Sequence, residues 1–221
     1  MAIPKVCGIE TEYGVTLRGA ADPNPVLASS MLINAYLADL AGEALPEPGV
    51  PFDFEDESPG ADARGPLESA YTAEVETHLV NAVLTNGARY YVDHAHPEYS
   101  TPECSDALEL VCADKAGERI LARSMLAARR LTDAGQEIVV YKNNSDGKGN
   151  SYGTHENYLV DRQTPFAQLV RNLLPWFVSR QIFTGAGKVG AENGATPVGF
   201  QLSSRADFFE EEVGLETTLK R

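Results

Sequence analysis

The chain has only three cysteines in its 221 residues, Cys7, Cys104 and Cys112, and no CxxC pair. That scarcity argues against a disulfide framework or a structural zinc site and makes a reducing compartment the natural home. No stretch approaches the roughly 18 consecutive apolar residues that a membrane span requires. Met1–Lys5 opens without the apolar segment of a secretory leader, so the expectation is a cytoplasmic protein with no membrane partner. Basic residues are scarce as well. Eighteen Lys and Arg stand against 32 Asp and Glu, a net charge of −14. Such a surface repels phosphate backbones, which argues against nucleic acid as a partner.

The remaining composition is that of a globular protein, 43% hydrophobic and 23% charged, long enough to bury one or two cores. Its charge is uneven. Between Glu43 and Glu76 lie ten acids and one base, Arg64, so this segment carries −9 of the −14. Prolines at 46, 48, 51, 59 and 66 and glycines at 49, 60 and 65 break every periodicity there. A long mobile acidic loop over about 43–68 is expected, of the kind that is usually functional or disordered.

Elsewhere the pattern is regular. Residues 6–15 alternate with period two and read as a strand, with Ile9, Thr11, Tyr13 and Val15 on one face and Gly8, Glu10, Glu12 and Gly14 on the other. Ser29 or Ser30 reads as the N-cap of a helix carrying Ile33, Tyr36, Leu37 and Leu40. After an Asn86-Gly87 turn, a strand places Arg89, Tyr91 and Asp93 on one side and Ala88, Tyr90 and Val92 on the other. Asp106 and Glu109 have capping-box spacing, and Leu108, Val111 and Cys112 open the apolar face of a helix running to about Leu131. Further strands are expected at 138–141, 151–159 and 199–205, and a helix near 166–184 in which Trp176 and Phe177 are core. Strands outnumber helices and short turns join several neighbours, which favours an α+β fold with an antiparallel sheet.

Four strands carry polar faces: Glu10 with Glu12, Arg89 with Tyr91 and Asp93, His96 with Glu98, and His155 with Asn157. Each alone is what a solvated sheet face looks like. Together they have the composition of a metal–nucleotide site. Carboxylates suit magnesium, an imidazole suits manganese, and an arginine fork grips phosphate. Asn143–Asn150 reads equally as a hairpin turn or a ligand loop, and the Gly-rich run after Thr184 as a helix end. His94 adjoins Asp93, but strand alternation sends the two side chains to opposite faces.

Four segments carry a resemblance: Gly8-Ile-Glu-Thr-Glu-Tyr-Gly-Val15, Asn86-Gly-Ala-Arg-Tyr-Tyr-Val-Asp-His-Ala-His-Pro-Glu-Tyr99, Tyr141-Lys-Asn-Asn-Ser-Asp-Gly-Lys-Gly149 and Ser151-Tyr-Gly-Thr-His-Glu-Asn-Tyr158. In these the chain resembles the Pup ligase/depupylase family, relatives of glutamine synthetase and other carboxylate–amine ligases. Asp93-His-Ala-His-Pro97 and the acidic loop are similar to the deamidase/depupylase branch more than to the ligase branch.

The resemblance implies a glutamine synthetase-like, curved and mainly antiparallel sheet with helices on one face. It implies ATP or ADP and Mg2+ as cofactors, with Mn2+ as an alternative, and Pup and pupylated proteins as partners. By position, Glu10, Tyr91 and Glu98 match metal ligands, Glu12 and His155 fall in the same motifs, Arg89 and Thr101 match nucleotide contacts, and Asp93 matches the catalytic aspartate. Ser203 and Arg205 are further candidates for substrate or phosphate contact. The implied reaction is deamidation of the C-terminal Gln of Pup and cleavage of the Pup–lysine isopeptide bond; a Pup ligase and an inactive nucleotide-binding fragment are the alternatives. Because the family continues past residue 221, residues 1–221 are expected to be the N-terminal part of the catalytic domain, partnered by the C-terminal remainder of the same enzyme.

Overall fold

In the computed structural model, residues 5–42, 61–62, 65–66, 80–192 and 194–209 are described. They fall into two compact units, the first drawn from 1–55, 73–143 and 152–159 and the second from 56–72, 144–151 and 160–221. The stretch read as an acidic loop at 43–68 lies outside the described residues except for a short antiparallel pairing of Ala61–Asp62 with Gly65–Pro66.

The first unit holds strands β1 (Cys7–Glu12) and β2 (Gly14–Arg18), helix α1 (Pro25–Gly42), strands β3 (Asn81–Val83), β4 (Arg89–Asp93) and β5 (His96–Ser100), helix α2 (Ala107–Ala128), and strands β6 (Glu137–Tyr141) and β7 (Thr154–Tyr158). Five strands form one sheet in the order β3-β4-β5-β1-β7, every pair antiparallel. The expected 6–15 strand is broken at Tyr13. β1 joins this sheet while β2 pairs with β6 in a separate two-stranded ribbon.

The β3–β4 turn forms as its Asn-Gly pair predicts. Gly87 N–H donates to Leu84 O, and the Asn86 side chain accepts from Ala88 N–H. Ala88, Tyr90, Val92 and Tyr99 face the helices and are buried with Leu32, Ile33 and Tyr36 of α1 and Leu121, Ala127 and Ala128 of α2. The Tyr36 and Tyr90 rings meet edge to face, and Tyr90 Oη lies 3.3 Å from Ser124 Oγ. Both helices thus cover one face of the sheet and leave the polar face to other work.

Helix boundaries differ from the sequence reading in instructive ways. α1 starts at Pro25, with Asn24 Oδ1 accepting from Leu27 N–H, so Asn24 and not Ser29 is the cap. Proline suits the first helical position because its missing N–H has no partner there in any case. Ser29 is instead buried one turn in, donating to Ala95 O at 2.9 Å. In α2, Asp106 caps Glu109 N–H as predicted, but Glu109 reaches back to Ser105 N–H and Oγ. Leu108 is 74% exposed, and Val111 and Cys112 are exposed too. The buried stripe runs through Gly117, Leu121, Ser124 and Ala128, because the helix first meets the sheet at its middle.

The second unit contains α3 (Phe166–Ser179), α4 (Gln181–Thr184) and the antiparallel pair β8 (Ala186–Val189) and β9 (Phe200–Ser203). One expected helix is therefore two, and Gly185 ends the second, as its sequence suggested. Trp176 is half exposed and not core. The Asn143–Asn150 run turns on Asp146, whose carboxylate accepts from Lys148 N–H and from the Asn150 amide and backbone.

Gly117 decides how closely α2 approaches the sheet. A Cβ there would stand 2.5 Å from Tyr99 Cδ1, in the wall of the ring. Gly117→Ala is expected to destabilise by about 1–2 kcal/mol, since overpacking outweighs the roughly 1 kcal/mol gain in helix propensity. Denaturant unfolding checks this; a midpoint at or above the parent's would mean that Tyr99 yields.

Candidate active site

Antiparallel register places directly opposed residues on the same face. One row across the sheet runs Arg89, Ser100, Glu10 and His155, and the next runs Asn81, Tyr91, Glu98 and Glu12. Asp93 opposes His96 at the end of β4 and β5, and Gly8 opposes Asn157. The four polar faces read from the sequence are therefore one face, on adjacent strands.

Much of that face is not solvated. Glu98 is 1% exposed, Tyr91 2%, and Glu12 is also buried. The Tyr91 hydroxyl stands at the centre. It contacts Glu10 Oε1 and lies 2.7 Å from Glu98 Oε2 and 3.3 Å from Ser100 Oγ, so its single proton is shared among these oxygens. Glu12 Oε2 accepts from Gly153 N–H at 2.7 Å. His155 spans the pair, with Nδ1 3.3 Å from Glu10 Oε2 and Nε2 3.9 Å from Glu12 Oε1. Burial, compounded by Asp93, Glu12 and Glu10, pushes the Glu98 carboxyl up to about 10.

Among the described residues, no three His, Cys, Asp or Glu side chains yet converge at metal-binding distance. The carboxylate oxygens gather on the Tyr91 hydroxyl instead. Glu10, Glu98, Glu12 and Tyr91 nevertheless supply the oxygen-rich set that a hard divalent cation takes.

Arg89 is anchored twice. Its Nε donates to Asn81 Oδ1 at 2.9 Å, and its guanidinium carbon lies 3.9 Å from the Tyr91 ring centroid. Burial lowers its pKa while Glu10, Glu98 and Asp93 oppose that shift. Thr101 sits just past β5, where its Oγ1 accepts from Ile9 N–H at 3.0 Å and extends the β1–β5 ladder.

Asp93 ends β4 with its side chain 22% exposed and Oδ1 3.0 Å from His94 Nδ1. This corrects the expectation that the two side chains part. His94 belongs to the two-residue turn into β5, with φ +52°, so strand alternation does not apply to it. Ser203 and Arg205 lie in the second unit, where the buried Ser203 Oγ accepts from Arg205 N–H.

Sequence reading missed Asn81 and Ser100 on this face as well as the His94 contact. The Asn86-Gly87 turn held the signal for Asn81, because a hairpin centred there sets residue 81 opposite 91.

The family model described as Pup-ligase protein matches residues 5–221. A protein named Depupylase from Acidothermus cellulolyticus is 52% identical over 98% of this chain and 44% of its own length. A Pup deamidase/depupylase of Mycobacterium tuberculosis is 48% identical with the same coverage. A Pup–protein ligase of Nocardioides is 50% identical, over only 64% of this chain and 32% of its own. The chain thus spans under half the length of the curated relatives it matches. Among solved structures, the crystal structure of the complex between Prokaryotic Ubiquitin-like Protein Pup and its Ligase PafA aligns with TM-score 0.67 and 28% identity, covering 93% of this chain and 35% of that one.

The Glu98 environment generates a pH dependence in metal-free protein. Folding raises this carboxyl from its ordinary 4.5 to about 10, so between those values the folded state holds a proton that the unfolded state has lost. Stability therefore falls as pH rises through that window. Glu98→Gln is neutral throughout and is expected to flatten the slope. Urea unfolding in EDTA at several pH values from weakly acid to alkaline tests this; a slope unchanged by the substitution would assign it to another group.

Proposed function

The chain belongs to the Pup-ligase protein family, and on that premise we propose that it is the N-terminal part of a glutamine synthetase-like catalytic domain that hydrolyses side-chain amides. The substrates would be the C-terminal Gln carboxamide of Pup and the isopeptide bond joining Pup to a protein lysine. The observation that carries this reading is the single polar face on which β4, β5, β1 and β7 bring together Arg89, Tyr91, Asp93, Glu98, Glu10, Glu12 and His155. The depupylase reading over the ligase is supported by relatives of that name that are 52% and 48% identical over 98% of the chain, where a Pup–protein ligase of the same coverage is 35% identical, and by Asp93-His-Ala-His-Pro97 and the acidic insertion. The C-terminal remainder of the enzyme would complete the domain.

Glu10, Tyr91 and Glu98 would hold Mg2+, with Glu12 and His155 beside them. The donor set fits, since three carboxylates facing one another out of water call for a cation. Arg89 would grip a phosphate of ATP or ADP, held in place by Asn81 and the Tyr91 ring. Thr101, whose oxygen already accepts from Ile9, would offer its hydroxyl proton. Bound Mg2+ would supply positive charge near the developing oxyanion. Amide hydrolysis is downhill, so the nucleotide acts as a cofactor and not as fuel. Asp93 would attack the γ-carbonyl or orient the attacking water.

The test is a mass spectrum of Gln-terminated Pup after incubation with the full enzyme containing this chain, with and without Mg-ATP. Conversion of amide to acid is expected, and Asp93→Asn should slow it at least about 10²-fold. Conjugation of Pup to a lysine in place of hydrolysis would assign the ligase reaction.

A further inference from the structure

The turn between β4 and β5 is unusual for its occupant. His94, its first residue, has φ +52°, where a Cβ is crowded and glycine is the ordinary choice. The turn is held from beneath, because buried Ser29 of α1 donates to Ala95 O at 2.9 Å. In this conformation the imidazole Nδ1 lies 3.0 Å from Asp93 Oδ1, while the side chain stays 80% exposed. A strained backbone that aims a titratable ring at one carboxylate points to function.

We infer that His94 is the general acid that protonates the departing amine. The inference rests on the amide-hydrolase reading and on Asp93 standing at the reacting carbonyl. An alkyl amine or ammonia does not leave as an anion, so the nitrogen must gain a proton as the carbon–nitrogen bond breaks. Arg89 keeps its proton, the three glutamates face a cation, and Asp93 serves the attack. Of the two imidazoles beside Asp93, His96 packs against the Tyr152 ring, whereas His94 holds Nδ1 3.0 Å from Asp93 Oδ1 and keeps its ring in solvent. An imidazole is the side chain suited to giving and regaining a proton. With Nδ1–H given to Asp93, the ring's Nε2–H is the transferable proton. When the tetrahedral adduct collapses, the carbonyl re-forms, the carbon–nitrogen pair goes to nitrogen and Nε2 delivers its proton there. The amine leaves neutral, and the exposed imidazole regains a proton from solvent.

His94→Gly in the full enzyme tests this with little risk to folding, since glycine relaxes the positive φ. Two Pup substrates are compared, the isopeptide to lysine and a γ-p-nitroanilide whose leaving nitrogen needs no proton. Turnover of the isopeptide is expected to fall about 10²–10³-fold and that of the anilide less than about threefold, with added imidazole restoring part of the isopeptide rate. Equal losses on both substrates would make His94 only a positioning residue for Asp93, and no loss on either would remove it from the reaction; both overturn the inference. A parent enzyme inactive on both substrates would overturn the hydrolase reading itself.

Discussion

Holding the Glu10, Glu12 and Glu98 carboxylates side by side out of water is the constraint around which the first unit is arranged. Like charges at this range repel, and burial removes the solvent that would screen them. The chain meets the cost with a tyrosine hydroxyl shared between Glu10 and Glu98, a backbone N–H given to Glu12 and an imidazole between Glu10 and Glu12. Arg89 lies over the same tyrosine ring and brings a positive charge to it. These partners come from β4, from β7 and from Gly153 just before it, while the glutamates sit on β1 and β5, so correct register is a condition for satisfying any of them.

Register in turn depends on the opposite face. Tyr90 and Tyr99 alternate with Tyr91 and Glu98 along their strands, and they are packed against α1 and α2 at Tyr36, Ser124 and Gly117. A slip of one residue would exchange the two sets and expose aromatic rings while burying a second layer of charge. The polar site is specified as much by the apolar packing behind it as by its own contacts.

Period-two alternation made the site legible in the sequence, because it depends only on strand geometry and identified Arg89, Tyr91 and Asp93 as co-facial. The antiparallel α+β class and the Asn86-Gly87 turn were legible for the same local reason. What could not be read was set by tertiary position. Leu108 and Val111 have the spacing of a buried stripe, yet α2 first meets the sheet a turn or more later. Ser29 looks like a cap but serves a turn 66 residues away. His94 was assigned by strand logic to the wrong side, since one positive φ changes where its side chain points. The pairing of β1 between β5 and β7, which unites the four polar faces, left no local trace.

That central placement of β1 has a consequence for the order in which the site can come into being. The β4–β5 hairpin is local and can form early, carrying Arg89, Tyr91, Asp93 and Glu98 with it. Glu10 must find Ser100 across 90 residues and His155 across 145. Closing such loops is slow relative to hairpin formation. During synthesis, the strand made first therefore waits for the strand made last in this sheet. Until β7 emerges, β1 keeps an unpaired edge, and a chain arrested before that point would display half of the polar face beside an open strand.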